Sequence, residues 1–424
     1  MNRGSQAIVS IFRHRRILCV AALLTALIPV GVASDAHAEN EGPQGRLITS
    51  LAVAINPATH KVYAVNEGAG TVAVIDEQNG STRTVKVGQK PIALAINQAT
   101  NRIYIANTES GSISVIDGGS DEVITTVKAE STPYVLAVNE ASNKVYVTYT
   151  YSHVLTVIDG ATNTTQSLKT GSADGIALDP ASHTIFLTTY EDPDIRIVDD
   201  TTGAVSKVSV GPHLWGITFD PSSHTLYLAH TGTADIVALN EKTREVYTIL
   251  VGEIPCAVAI NPVTNTIYAV NYGDETVSAI DAAKRKVIAT MHVGKHPQAV
   301  AVDAAHNRVY IANVHGNSVT VIDGAKNQVI GTYDAGRNPY ALAIDATTGH
   351  VYAANYGEPP VTLVNVPSPV VPRQIPLPEI IPERNPMRVS QGSPKVIPGL
   401  AGEADTHRGS VRDTSASFYP QALP

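Results

Sequence analysis

Cysteine is almost absent from this 424-residue chain, which has only Cys19 and Cys256. Cys19 lies in an apolar N-terminal run. Once that run is removed Cys256 stands alone, so no intrachain disulfide is possible and stability has to come from packing and strand pairing. Basic residues are in deficit: 30 Lys and Arg against 38 Asp and Glu give a net charge of −8. That balance lacks the basic footprint needed for a sequence-blind grip on phosphate backbones, so nucleic acid is disfavoured as a partner. Catalytic signatures are missing too. The sequence has no Gly-x-Ser-x-Gly elbow, phosphate loop, Gly-x-Gly-x-x-Gly or Cys-x-x-Cys-His, which points away from the enzymes those motifs mark. Tryptophan occurs once, as Trp215.

What is present begins with an export pattern. Arg13, Arg15 and Arg16 precede an apolar run over 17–33, and Ala36-His37-Ala38 supplies a small-x-small cleavage site. The reading is a signal peptide over 1–38 and a periplasmic or secreted product with no membrane span after cleavage; an uncleaved membrane helix is the alternative. Residues 1–38 carry four arginines against Asp35, so the processed chain stands at −11. Residues 39–49 read as a flexible lead-in. The last 58 residues hold 11 of the 26 prolines, and 378–424 reads as a disordered Pro-rich tail. Residues 370–377 could supply a last edge strand, where proline is tolerated.

Between them, one unit repeats eight times. Its clearest mark is Val74-Ile75-Asp76, which recurs through Asp117, Asp159, Asp199, Asn240, Asp281 and Asp323 to Asn365 at steps of 40 to 42 residues. Such a period means one supersecondary unit copied in series. Each copy contains four short stretches of period-2 alternation separated by turn residues, the pattern of a four-stranded antiparallel meander. A lone meander leaves both faces wet, whereas copies set around an axis bury them. The third position of the first strand is small in every copy (Ala54, Ala95, Ala137, Ala177, Thr218, Ala259, Ala301 and Ala343) beside a large neighbour such as Leu94. This taper predicts an all-β, eight-bladed β-propeller over 50–377, the alternative being seven blades with an extra or shared unit.

The repeats resemble the YVTN family of β-propellers. The likeness is carried by Asn261-Pro262-Val263-Thr264-Asn265-Thr266-Ile267-Tyr268-Ala269-Val270-Asn271 and by Asn317-Ser318-Val319-Thr320-Val321-Ile322-Asp323. It covers about 50–366 and implies an exported propeller, without implying one ligand or one reaction. Many members have seven blades, where eight units are counted here.

The repeated Asp76, Asp117, Asp159, Asp199, Asp281 and Asp323 are expected to cap turns, because an Asp that opens a turn accepts nearby backbone amides. Asn66, Asn107, Asn271, Asn313 and Asn355 are expected to satisfy backbone at strand ends. Function is sought where the pattern breaks. In blades three to five that Asn becomes Tyr149, Thr189 and His230, and the Gly-x-x-Pro entry loops of other blades are lost from blades four and five. The altered loops leave one face, so Tyr151, His153, Asp174, Glu191, His213, Trp215 and His230 form a candidate ligand-binding rim. The competing reading is drift in three weaker repeats. His213 and His230 beside Asp174 or Glu191 have metal-binding chemistry, but no His-x-x-x-His spacing supports a site, and no metal or cofactor is expected. Lys295-His296 and Arg337-Asn338 put positive charge on the same face and read as solvated loop charges. Cys256 reads as a buried small hydrophobe.

Three functions are compatible with this sequence. The leading one is a non-catalytic scaffold binding a protein, cell-wall glycan or small molecule through one loop-rich face. The rival, on fold analogy alone, is a propeller enzyme, a lactonase-like hydrolase or an oxidoreductase, with its site at the channel mouth. Nucleic-acid binding comes last.

Overall fold

A computed structural model of the chain describes residues 52–149, 151–179, 181–357 and 359–367. The export segment (1–38), the lead-in (39–49), Cys19, the candidate edge strand (370–377) and the tail (378–424) lie outside the described residues. Every regular element described is a β-strand. The strands form eight antiparallel sheets, each built from consecutive strands in meander order. Seven sheets have four strands. The eighth has three among the described residues: Pro339–Ile344, Val351–Asn355 and Val361–Val364. The fold is therefore an eight-bladed β-propeller, as the repeat predicts.

The period-2 pattern explains how the blades pack. Along the inner strand of blade 2, Pro91–Asn97, Leu94 and Ile96 join the cluster shared with blade 1, while Ala93 and Ala95 join the cluster shared with blade 3. The small face of one blade thus receives the large face of the next, here Leu136 and Val138. The second strand adds the largest buried side chain. Tyr63, Tyr104, Tyr146, Tyr227, Tyr268 and Tyr310 are each at most 1% exposed. Several hydroxyls reach the next blade: Tyr63 donates to Asp121 Oδ1 at 3.0 Å, Tyr268 to Asn327 Oδ1 at 2.6 Å, and Tyr146 to Asp200. Tyr63, Tyr146 and Tyr268 thus pack between two sheets and tie them with a hydrogen bond, while the Tyr104 hydroxyl is buried without one.

The same contacts close the ring. No strand crosses between blades 8 and 1 among the described residues, so side chains do the joining. Tyr340, Ala341 and Ala343 of blade 8 share one core with Ala52, Val53 and Tyr63 of blade 1. Tyr352 donates to Glu77 Oε1 at 3.0 Å across 275 residues of sequence.

The turn aspartates are structural. Asp117 Oδ1 accepts the Gly119 and Ser120 amides at 3.0 and 2.9 Å, and Asp159, Asp199 and Asp323 repeat the arrangement. Backbone amides hold the carboxyls of Asp117, Asp159 and Asp199 below the usual carboxylate range. A lowered folded-state value means the unfolded chain binds protons first as pH falls. The stability these turns contribute is complete above the ordinary carboxylate range and is lost as pH drops through the lowered values. Asp117→Asn keeps the acceptor oxygen but cannot titrate. Its urea midpoint is expected to fall less than that of wild type between about pH 5 and about pH 3; an equal fall would contradict the assignment.

Candidate functional site

Antiparallel pairing fixes which loops meet. The first residue of an inner strand lies opposite the last residue of the second strand, as in Pro91 with Asn107 and Leu214 with His230. The entry loop of a blade and its second-to-third-strand loop therefore share one face. The Gly-x-x-Pro signature follows from this. A Cβ on Gly88, Gly252 or Gly294 would lie 2.7, 2.6 or 2.6 Å from Asn107, Asn271 or Asn313. The glycine leaves space for an asparagine that is fully buried in all three cases. Those asparagines donate to hydroxyls of the third strand, Asn107 to Ser114 at 2.9 Å, Asn271 to Ser278 at 3.0 Å and Asn313 to Thr320 at 2.9 Å.

Blades 3 to 5 lose this asparagine, and each refills its place differently. Tyr149 points its hydroxyl at Thr156 Oγ1, 2.8 Å away. His230 Nδ1 lies 2.8 Å from Thr233 Oγ1 and 3.2 Å from Asp235 Oδ1. In blade 4, Thr189 takes the asparagine position and Arg196 replaces the serine or threonine. The Arg196 guanidinium donates to Thr189, to the Ser172 carbonyl at 2.5 Å and to Asp192 Oδ2 at 3.4 Å. Gly171, at φ +87°, leaves room for it. Drift alone would leave these buried groups unpaired, at a cost of about 1–3 kcal/mol each. Instead all three breaks regain side-chain hydrogen bonds, and of the Arg196 guanidinium only Nε is left without a partner.

This changes the membership of the rim. His230 is 7% exposed and serves inside its own blade. Trp215 and His213 converge on Tyr190, with ring centroids 5.9 and 4.9 Å away. The backbone locks them there: His213 N donates to Tyr190 O at 2.6 Å, and Asp174 Oδ2 accepts the Tyr190 amide at 3.1 Å. Glu191 is exposed beside this group. Burial pushes the Asp174 carboxyl up, opposed by the Tyr190 amide and by Arg196. Tyr151 is 69% exposed on the neighbouring loop. His153, also exposed, is tied in through its carbonyl, which accepts the Thr170 and Gly171 amides.

Sequence reasoning missed Tyr190 and Arg196. Tyr190 is the hub on which the others pack. Arg196 fastens both loops from below and carried a readable signal: a charge at an inward position between the isoleucines Ile195 and Ile197. The same face holds two further aromatic groups. Tyr272 meets His296 at a tilt and His296 meets His315 edge-on, at 4.8 and 4.4 Å, and Tyr340 stacks on Tyr356 at 4.0 Å.

Two other features bear on chemistry. An open groove of about 420 Å³ beside blades 1 and 2 is lined by Lys86, Gly88, Ser110 and Ser114 among others, with no histidine or carboxylate. Cys256 is buried, and desolvation pushes its thiol up to about 12, which leaves it inert as a nucleophile.

No family model matches the sequence. No curated protein matches it either. Solved structures do. One is dihydro-heme d1 dehydrogenase NirN in complex with DHE, with a TM-score of 0.61 and 13% identity over 73% of this chain and 71% of that one. Another is Kuenenia stuttgartiensis hydrazine synthase, with a TM-score of 0.54 and 17% identity over 79% of this chain and 99% of that one. At these identities the shared property is the fold.

Proposed function

We propose that this chain is an exported binding module of YVTN-like repeats that captures a partner on its loop-rich face. The observation that carries this reading is the Tyr190–His213–Trp215 group, built where three consecutive blades depart from the repeat and held by backbone and Arg196 contacts. Rigid aromatics beside Asp174 and Glu191 suit a partner that offers cationic or hydroxyl-rich groups: the rings supply area and cation–π attraction, and the carboxylates accept hydrogen bonds. A ring of fixed loops lets several weak contacts act at once. The N-terminal arginines, apolar run and Ala-His-Ala site support export.

The test is an unbiased capture of proteins, cell-wall glycans and metabolites by wild type and by Trp215→Ala with His213→Ala. Removing two central aromatics is expected to weaken capture by at least about tenfold, with the circular dichroism spectrum unchanged. Equal capture by a folded double variant would remove this sector from the account.

A catalytic reading has one observation in its favour, the raised carboxyl of Asp174 against Tyr190 in the same group. It predicts turnover of a captured metabolite that Asp174→Asn abolishes while binding persists. Stoichiometric capture without product contradicts it.

A further inference from the structure

The face opposite the aromatic loops carries a repeated three-residue junction. Its members are the residue ending the inner strand of one blade, the left-handed residue of the first turn in the next blade, and the first residue after that next blade's third strand. Where blades 1 and 2, 2 and 3, and 6 and 7 meet, the set is neutral: Asn56, Asn101 and Gly118; Asn97, Asn143 and Gly160; Asn261, Asn307 and Gly324. One asparagine donates to the other at 2.6, 2.8 and 2.6 Å.

Two junctions carry titratable side chains in all three positions together. Between blades 8 and 1 the set is Asp345, His60 and Glu77. Between blades 4 and 5, diametrically across an eight-membered ring, it is Asp179, His224 and Glu241. In each set one atom per residue lies within 4.8 Å of the other two. His60 Nδ1 is 3.7 Å from Asp345 Oδ2. His224 Nδ1 is 3.4 Å from Glu241 Oε2 and 3.8 Å from Asp179 Oδ2. No lysine or arginine among the described residues pairs with these carboxylates; His350 Nδ1 lies 3.1 Å from Glu77 Oε1, and Lys242 Nζ lies 2.7 Å from His224 Nε2, a contact that metal binding at Nδ1 would release.

The hydrogen bonding is incomplete where the sets converge. Asp345 Oδ2, Glu77 Oε2, Glu241 Oε2 and His224 Nδ1 are buried with no hydrogen-bond partner. Asp345 is 2% exposed and Glu241 is 8% exposed. Buried oxygens facing a histidine nitrogen without a donor are costly unless something positive sits between them. The junction between blades 3 and 4 shows the contrast. There His183 and Asp200 are present, but Lys144 Nζ at 3.1 Å and the Tyr146 hydroxyl reach Asp200 Oδ2 and the Thr201 hydroxyl reaches Oδ1, whereas His350 and Tyr352 both reach Glu77 Oε1 and leave Oε2 without a partner.

We propose that these two sets are divalent-cation sites of the zinc class that pin blade 8 to blade 1 and blade 4 to blade 5. One imidazole nitrogen and two carboxylate oxygens, with water in the fourth position, suit Zn²⁺ or Co²⁺. Ca²⁺ needs six to eight oxygens, and Mg²⁺ avoids imidazole. Donors about 2.0–2.1 Å from a tetrahedral zinc lie about 3.3 Å apart; three His–carboxylate separations of 3.4 to 3.8 Å are close to that, and the remaining donor pairs, all within 4.8 Å, would draw in on binding. At the 8/1 junction the ion would link residues 60 and 77 to 345, where, among the described residues, the ring is joined by side chains alone.

The full chain, dialysed against EDTA and then buffer, is titrated with Zn²⁺ and Co²⁺ by calorimetry and by cobalt absorption. Two equivalents are expected. His60→Asn and His224→Asn install the residue that the sibling junctions carry, so both variants should fold. Each is expected to lose one equivalent, and the double variant both. Saturating zinc should raise the melting temperature of wild type by several degrees and leave the double variant unmoved. His296→Ala, which alters the exposed His296–His315 pair, should keep both equivalents. No stoichiometric uptake by wild type, or full uptake by the folded double variant, overturns the proposal.

Discussion

Tyr268→Ala is expected to destabilise the propeller by about 3–5 kcal/mol, the range for removing a large buried ring without collapse of the space around it. Tyr268 is fully buried and packs with Ala257, Val309, Ile311 and Ile322, residues of two different blades. Blades 6 and 7 both lose contacts, and a sheet backbone has little freedom to close the gap. The hydroxyl adds a separable part. Tyr268→Phe keeps the ring and removes only the donor to Asn327 Oδ1, at an expected cost of about 1 kcal/mol. Urea unfolding of the two variants measures both parts. If Tyr268→Ala cost no more than Tyr268→Phe, the ring would not be what joins the blades.

Arg196→Ala is the second large effect. The side chain is 6% exposed, and its partner Asp192 is 30% exposed. Removing one member of a fully buried pair costs about 3–5 kcal/mol. Water around Asp192 discounts that, and about 2–4 kcal/mol is expected. The loss would also free the loops that carry Asp174 and Tyr190, because Arg196 donates to the Ser172 carbonyl and to Asp192. A rescue distinguishes this mechanism from general damage. Thr189→Asn with Arg196→Ser rebuilds the amide–hydroxyl pair that Asn271 and Ser278 form two blades away, and should recover most of the stability. A double variant no more stable than Arg196→Ala would show that the pair is not interchangeable.

These two residues mark how much the sequence discloses. The period, the four-strand unit and the small–large alternation were legible because every blade buries the same positions, so eight copies repeat one signal. The turn role of Asp117 and its siblings was legible because the partners lie two and three residues away. The assignment of His230 to the rim was not reliable. A residue ending the second strand lies next to the loop face, and only its contacts with Thr233 and Asp235 show that it turns inward. Tyr190 as hub was invisible because its partners, His213 and Trp215, belong to the next blade. The triad of His60, Glu77 and Asp345 was further out of reach, since its members come from opposite ends of the repeat array and meet only when the ring closes.

Closure is the claim on which the rest depends, and the Tyr352–Glu77 hydrogen bond reports it most directly. Tyr352→Phe, Glu77→Gln and the double variant form a thermodynamic cycle across residues 275 apart in sequence. A coupling energy of about 1 kcal/mol is predicted, as for residues in contact. A coupling near zero, within about 0.3 kcal/mol, would mean that blades 1 and 8 do not meet and that the ring is open.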